Sequence, residues 1–215
     1  MSGITQFTKG LFEYDELSRA VDRNHLPMGV LGLSHIHKAH FIHSLCEEKK
    51  RRALIITPDE NSATKLRDDL LSMGTVAALY PAGDFSFRPT QAHSRDYEQR
   101  RLGVLSSMAQ QTVDVVVMSV EAALQLTIEP HILRRNTMVI EVGSEIPLDM
   151  IADDLVAAGY TRCELVEGRG QFAIRGGLID IFPPSLEYPV RIELWAKRLT
   201  ASPISKPIHS AAPSR

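Results

Sequence analysis

The sequence predicts an α/β protein with two domains, a parallel-sheet domain followed by a small, incomplete α+β domain. From about Leu26 onward, short apolar runs alternate with longer amphipathic segments, which is typical of a parallel sheet with crossover helices. After Gly143, short strands follow one another with tight turns between them, which favours an antiparallel sheet. We therefore predict a domain boundary near residue 143.

The first domain is predicted to span residues 26–142, after an N-terminal extension or helix over residues 1–25. Its predicted strands are Met28–Leu33, Ala53–Thr57, Val76–Tyr80, Val113–Ser119 and Met138–Val142. Its predicted helices are Lys38–Lys49, Glu60–Ser72, Tyr97–Ala109, Glu121–Leu126 and Glu129–Arg134. The fourth strand is almost entirely apolar, as expected for a central strand buried on both faces. The polar and aromatic stretch over residues 81–96 is long for a connection in a compact domain, which indicates a working loop.

The second domain is predicted to span residues 143–195, with one amphipathic helix and four strands. The helix is Pro147–Ala158, and the strands are Arg162–Glu167, Gln171–Ile174, Gly177–Phe182 and Val190–Trp195. Such a set makes a thin core for an independent domain. Residues 196–215 carry four basic residues, no acidic residue and three prolines, without any apolar period. This composition predicts a disordered tail.

The overall composition excludes several classes of protein. The 215 residues include 24 Lys and Arg against 26 Asp and Glu, and the net charge of −2 gives no general attraction to nucleic acid or to an anionic membrane. Two cysteines, Cys46 and Cys163, are too few and too far apart for a disulfide scaffold or a cysteine zinc finger. No run approaches the ~18 apolar residues that a membrane span requires, and the N-terminus lacks a signal-peptide apolar region. We expect a cytoplasmic protein.

A predicted strand-to-helix junction carries part of the pattern of a phosphate-binding P-loop. That pattern needs Gly-x-x-x-x-Gly-Lys followed by Ser or Thr, so that backbone amides, the lysine and a Mg²⁺-binding hydroxyl can hold the phosphates. Gly32 and Lys38 fit, and Ser34 lies inside the loop. His37 stands where the second glycine belongs, and Ala39 replaces the hydroxyl residue. We therefore predict a degenerate P-loop NTPase-like domain that does not hydrolyse nucleotide, and an unrelated strand-to-helix turn is the alternative.

Half of the eight histidines lie within nine residues, which raises the question of a metal site. They are His35, His37, His40 and His43, and Cys46 follows three residues later. Ligands spaced by three residues drift by about 60° per step around an α-helix, so they cannot all converge on one ion without distortion. We expect a solvated histidine-rich face and no metal site.

No catalytic residue is predicted. Ser34 lacks the pattern of a nucleophile elbow, and a pairing of Cys163 with His131 has no supporting motif. The acid pairs Asp68-Asp69 and Asp153-Asp154 lie on predicted helix surfaces, where solvated faces are the simpler interpretation.

The most informative segment runs from Gly168 to Trp195. Its glycines separate strands whose alternating residues can face a core, and it keeps Arg169, Arg175 and Arg191 in an otherwise acidic chain. An exposed Trp195 near Arg191 would form an arginine and aromatic patch of the kind that dominates protein interfaces. Alternatively, Arg175 only ends a strand and Trp195 fills the core. The residues themselves leave both interpretations open.

This segment resembles the UvrB-homologous region of bacterial transcription-repair coupling factors. The resemblance rests chiefly on QFAIRGGLIDIFPP at residues 171–184 and on PVRIEL at residues 189–194, and it covers roughly residues 31–195. Further matches are Thr57-Pro-Asp59, Tyr80-Pro-Ala-Gly-Asp84 and Ala157-Ala-Gly-Tyr160. UvrB keeps a working P-loop whereas the coupling factors have lost it in this region, so the departures at His37 and Ala39 favour the coupling factors.

The resemblance implies a UvrB domain 2-like second domain that recruits UvrA for nucleotide excision repair. Full-length coupling factors also bind stalled RNA polymerase and double-stranded DNA, and they displace the polymerase with an ATP-driven motor. By this resemblance, the UvrA-binding residues are Arg175, Arg191 and Trp195. The motor motifs have no counterpart in this sequence, so we expect a fragment that is not an enzyme and that needs neither ATP nor Mg²⁺. The alternatives are a degenerate P-loop protein that still binds nucleotide or nucleic acid, and a non-functional truncated product.

The resemblance also bears on the basic tail. Relatives usually continue after the strand that ends at Trp195 with a glycine and several acidic residues, whereas this chain has Ala196-Lys-Arg-Leu-Thr-Ala-Ser202. A one-nucleotide shift of reading frame can convert one segment into the other, which predicts a frameshift just after Trp195. Under this hypothesis the second domain lacks its closing elements and exposes a strand edge.

Overall fold

The computed structural model describes residues 3–83, 96–138, 140, 147–195 and 198–203. The chain divides into two compact units, of which the first comprises residues 1–91 and 107–127 and the second residues 92–106 and 128–215. This division differs from the predicted boundary near residue 143, because residues 92–106 and all residues after 127 join the second unit. Among the described helices, none has both the length and the apolar character needed to cross a membrane.

The first unit alternates helices with parallel strands. Its elements in chain order are α1 (Gly3–Thr8), α2 (Phe12–Asp22), α3 (His35–Lys49), β1 (Ala53–Thr57), α4 (Glu60–Ser72), β2 (Ala77–Tyr80), the end of α5 (Asp96–Ala109), β3 (Val115–Ser119) and α6 (Val120–Leu124). The three strands are parallel in the order β1-β3-β2, and Val117 of the central strand lies opposite both Ile55 and Leu79. All five residues of β3 are buried, which confirms the prediction for a central strand.

Local sequence explains why α4 forms. The Asp59 side chain accepts a hydrogen bond from the backbone N–H of Ser62 at 2.7 Å and so caps the first turn. Buried Ala63, Leu66 and Leu70 recur at helical spacing, so one stripe of the helix faces the sheet. These residues form a single core with Ala39 of α3 and with Val115 and Val117 of β3. The predicted bounds of β1 and α4 are confirmed.

The predicted strand at Met28–Leu33 is wrong. These residues are irregular, Leu31 is 94% exposed, and none of the three strands described in the first sheet pairs with them. A strand needs a neighbouring edge to satisfy its backbone N–H and C=O groups, and apolar composition does not supply that edge. Helix α3 therefore begins at His35 without the preceding strand that a P-loop requires.

The second unit is built around a mixed sheet. Besides the start of α5, its elements are α7 (Pro130–Arg135), α8 (Leu148–Ala157), β4 (Thr161–Arg162), β5 (Gln171–Arg175), β6 (Leu178–Phe182), β7 (Val190–Trp195) and β8 (Arg198–Pro203). The strands lie in sequence order, with β4 parallel to β5 and every other pair antiparallel. Ile151 and Leu155 of α8 pack on Phe172, Ile179, Ile181 and Ile192 of the sheet. Met138 and Ile140 pack against this core, and the rest of the predicted strand Met138–Val142 lies outside the described residues.

Of the predicted strand Arg162–Glu167, only Arg162 lies in a strand, as the second residue of β4. Beyond β4 the Cys163 N–H still donates to the Phe172 carbonyl at 2.9 Å. The chain then turns, and the N–H groups of Glu167 and Gly168 both donate to Oε1 of Gln171. The side chain of Gln171 thus replaces the ladder hydrogen bonds that a longer strand would have made.

The prediction of disorder is wrong for residues 198–203. They form β8, which pairs with the full length of β7 from Val190 opposite Pro203 to Trp195 opposite Arg198. Composition suggested disorder because the segment has no apolar period. The N–H and C=O groups along the edge of β7 nevertheless form hydrogen bonds with the backbone of this segment, whatever its side chains. The remainder of the predicted tail, including Lys206 and Arg215, lies outside the described residues, and the frameshift stays a prediction.

Candidate functional site

The outer face of the second sheet carries the predicted arginines. Along β5, β6 and β7, alternate residues such as Phe172, Ile179 and Ile192 face the core under α8, so the intervening positions lie on the other face. Arg175 and Arg191 occupy these intervening positions. The sheet therefore brings two residues 16 positions apart in sequence onto one surface.

Arg191 is held by a carboxylate from the neighbouring strand. It lies directly opposite Asp180 in the β6–β7 register. Its Nε donates to Oδ1 of Asp180 at 2.7 Å, and its Nη2 donates to Oδ2 at 2.8 Å. The hydrogen bonds to Asp180 and the charge of Asp180 raise the pKa of Arg191 above its ordinary value, and the nearby Glu193 adds to this effect. Arg191 thus links β7 to β6 through Asp180 and also lies on the surface of the sheet.

Arg175 occupies the end of β5, where the turn to β6 begins. Gly176 in that turn has a φ of 59°, a left-handed conformation that favours glycine. The Arg175 side chain is exposed, and its Nη2 donates to the backbone carbonyl of Glu164. The third arginine, Arg169, lies over the ring of Phe182 at 5.1 Å from its centroid. Arg175 is the more exposed of the two predicted contact arginines.

Trp195 is the last residue of β7, and its backbone pairs with Arg198. The environment of its side chain lies outside what the structure describes. Both earlier interpretations of Trp195, as an exposed contact or as a core residue, therefore stay predictions.

Sequence reasoning missed Asp180, which the structure places at the centre of this face. A usable signal was present, since Asp180 is the only charged residue in the strand LIDIF, and RIELW carries the complementary arginine. Opposite charges that lie directly across a sheet stabilise each other, so such a pair was a reasonable expectation. The register that sets these two residues opposite each other depends on the β6–β7 connection, which the sequence did not fix in advance.

The degenerate P-loop segment has a different geometry from a phosphate-binding loop. Gly32 has a φ of 80°, and Ser34 is the N-cap residue of α3 without a side-chain capping bond. His37 and Lys38 are exposed, whereas Ala39 is fully buried in the core of the first unit. A magnesium-binding hydroxyl would have to stand at position 39, and that position faces the core.

The histidine cluster splits among separate partners. His35 Nδ1 lies 3.1 Å from Asp69, and the rings of His37 and His40 lie 6.2 Å apart. His43 is buried, with Nδ1 2.7 Å from the Thr75 hydroxyl, so the prediction of a wholly solvated face is wrong for this residue. In the part of the chain that the structure describes, no three His, Cys, Asp or Glu residues are grouped to hold a metal ion.

The suggested pairing of Cys163 with His131 receives no support from the contacts of these residues. The Cys163 thiol lies 3.4 Å from the Phe172 carbonyl, and His131 Nδ1 lies 3.2 Å from Glu129. Burial, more than any other influence, raises the pKa of Cys163, so its thiol stays protonated near neutral pH.

A polar cluster that the sequence did not reveal ties the N-terminal helices to α3. Glu48 accepts hydrogen bonds from the hydroxyls of Tyr14 at 2.9 Å and Ser18 at 3.0 Å, and it pairs with Lys49 at 2.9 Å. Burial raises the pKa of Glu48, but these three partners outweigh it and hold that pKa at about 2. Next to it, the Thr5 hydroxyl donates to Glu47. The predicted N-terminal extension is therefore an integral part of the first unit.

Comparison with known proteins identifies relatives of the region that carries this face of the sheet. Residues 138–205 match the family described as the UvrB interaction domain, and this span contains β4 to β8. Over 197 residues the chain is 30% identical to the transcription-repair-coupling factor of Bacillus subtilis (strain 168), which covers 91% of this chain and 17% of that protein. This chain is homologous to part of the transcription-repair coupling factors.

Two further coupling factors give the same result. The chain is 33% identical over 155 residues to that of Mycobacterium bovis, covering 68% of this chain and 12% of the relative. It is 31% identical over 168 residues to that of Staphylococcus aureus (strain MRSA252), covering 77% and 14%. The chain thus spans less than a fifth of the length of these coupling factors. The family match also extends past Trp195, across β8.

Proposed function

We propose that this chain supplies the UvrA-recruiting module of a transcription-repair coupling factor. One observation carries the proposal: Arg175 and Arg191 share the face of the second sheet that points away from its core, within the span that matches the UvrB interaction domain. Trp195 ends the strand that bears Arg191 and completes the proposed contact set. UvrA is the partner that the resemblance of this region implies.

The chemistry of this face suits a partner that presents carboxylates. A guanidinium donates two parallel hydrogen bonds to a carboxylate, which gives both strength and a defined geometry. Arginine and tryptophan are also the residues that most often dominate the energy of protein interfaces. Arg175 is exposed, so a partner can reach its guanidinium without rearranging the core of the sheet.

We also propose that this chain has no ATPase activity of its own and binds neither ATP nor Mg²⁺. His37 and Ala39 depart from the phosphate-loop pattern, and Ala39 faces the core. Contacts with RNA polymerase and double-stranded DNA would belong to parts of a full-length coupling factor other than the segment matched here. A titration with ATP by calorimetry tests the absence of nucleotide binding, and micromolar ATP binding would contradict this proposal.

Substitution of Arg175 tests the proposed recruitment. Arg175→Ala should weaken binding of purified UvrA by about tenfold, as measured by titration calorimetry of the 215-residue chain, because a contact arginine is worth about 1–2 kcal/mol or more. Arg175 is the better choice for this test because Arg191 also satisfies Asp180. Arg162→Ala removes an exposed arginine from β4 of the same sheet and should leave the affinity unchanged. If Arg175→Ala binds UvrA as tightly as the unmodified chain, the proposal fails.

A further inference from the structure

Asp180 and Arg191 form a side-on pair on the proposed UvrA-binding face. Both carboxylate oxygens of Asp180 accept from the Nε and Nη2 edge of the guanidinium, at 2.7 and 2.8 Å. The Asp180 side chain is 13% exposed and that of Arg191 is 38% exposed, so the carboxylate lies deeper than the group it holds. A guanidinium has five N–H donors, and this pair uses two of them. The described residues offer this guanidinium no other hydrogen bond than those to Asp180, so both hydrogens of Nη1 and one of Nη2 remain for a further acceptor.

This geometry reduces the entropy cost of ordering the Arg191 side chain when a partner binds. An unrestrained arginine samples many side-chain conformations, and ordering such a side chain on association costs affinity. The two hydrogen bonds to Asp180 fix the plane of the guanidinium before any partner arrives. Asp180 is itself anchored in the central strand of the five-stranded sheet. The remaining donors are therefore presented in one orientation, at the more exposed end of the pair.

We propose that Asp180 is a positioning residue, which holds the Arg191 guanidinium in the orientation that binds a carboxylate of UvrA. This inference rests on the proposed function and extends it to a residue that does not itself contact the partner. A competing effect has the opposite sign, because Asp180 also cancels the charge of Arg191 and so weakens its attraction to an anionic partner. Positioning and charge masking therefore predict opposite changes when the carboxylate is removed.

The test measures UvrA affinity by titration calorimetry for the full chain and a set of variants. Asp180→Asn, which keeps the size of the side chain, should weaken binding by about 2- to 10-fold, the range expected for ordering one side chain. Arg191→Gln should also weaken binding, and the double variant should bind like Arg191→Gln alone, because Asp180 acts through Arg191. Asp153→Asn removes an exposed carboxylate from α8 of the same unit and should have no effect.

Each alternative result overturns the inference in a recognisable way. If Asp180→Asn leaves the affinity unchanged or raises it, positioning is refuted, while a loss in Arg191→Gln keeps the proposed function. An equal loss from Asp180→Asn in both backgrounds shows that Asp180 acts through the sheet and not through Arg191. If Arg191→Gln binds normally, Arg191 is not a contact and the inference falls, whereas Arg175→Ala still decides the proposed function.

Should Asp180→Asn fail to fold, Asp180→Glu replaces it, because this variant keeps the charge but moves the carboxylate by one methylene. Normal binding by Asp180→Glu would refute positioning.

Discussion

Gly103 of α5 lies directly against the backbone of the segment between β6 and β7. A Cβ atom built at this position would lie 2.2 Å from the carbonyl oxygen of Pro184, 2.8 Å from its carbonyl carbon and 3.3 Å from the N of Ser185. The first distance is about 1 Å shorter than a van der Waals contact allows. Since the opposing atoms are backbone, no flexible side chain can move aside. Gly103→Ala therefore forces α5 away from the segment between β6 and β7.

Two effects of opposite sign decide the result of Gly103→Ala. Alanine in place of glycine inside a helix normally stabilises by about 1 kcal/mol. Overpacking a close contact costs about 1–3 kcal/mol, and an overlap with rigid backbone belongs at the upper end of that range. We expect a net loss of about 2 kcal/mol in the free energy of unfolding of the second unit. The sign alone is informative, because an unpacked helix would become more stable.

The assay uses the single tryptophan of the chain, Trp195, which lies in the second unit. A urea titration followed by its fluorescence should show a midpoint lower by about 1 M for Gly103→Ala, given a denaturant dependence of about 2 kcal/mol/M. Gly168→Ala is the matched control, because its Cβ would meet only the Gln171 side chain at 3.9 Å. An unchanged or higher midpoint for Gly103→Ala would refute the close packing of Gly103 on the segment between β6 and β7.

Two further predictions concern stability. Because the pKa of Glu48 is about 2 in the folded chain against an ordinary 4.5, its carboxylate stabilises the first unit above pH 4.5, and this contribution disappears as the pH falls from 4.5 to 2. Glu48→Gln should therefore lower the free energy of unfolding by about 1–2 kcal/mol at pH 7, after allowance for solvent screening, and by almost nothing at pH 2. Urea unfolding followed by circular dichroism measures both values. An equal loss at the two pH values would contradict the ionic role of Glu48. In the second unit, Phe172 is fully buried, and Phe172→Ala should lower the unfolding free energy reported by Trp195 by about 3–5 kcal/mol. A loss below 1 kcal/mol would show that Phe172 is not a core residue.

Much of the local structure was predictable because short-range features define it. The bounds of β1, α4 and β7 agree with the sequence to the residue. β1 is rich in β-branched residues, α4 follows the capping residue Asp59, and β7 alternates polar and apolar residues after Pro189. The apolar run of β3 also sufficed to predict a central strand, because only a strand covered on both faces can be uniformly apolar.

The candidate site was predictable only in part. Arg175 and Arg191 stood out as basic residues between glycines and apolar alternation, and the resemblance to coupling factors assigned them a partner. Neither observation revealed that Arg191 is already held by Asp180, since that pair depends on which residues of β6 and β7 lie opposite each other. The same limit applied to His43, whose burial against Thr75 depends on the packing of α3 near the start of β2.

Sequence periodicity therefore determined where most helices and strands begin and end, and the motif at residues 171–194 identified the family. Which segments pair and which unit each helix joins followed only from tertiary contacts. Met28–Leu33 has the composition of a strand but pairs with none of the described strands, whereas residues 198–203 have the composition of a tail but pair along the whole of β7. The physical reason is that backbone hydrogen bonds between strands require a partner at the right place, and that partner is distant in sequence.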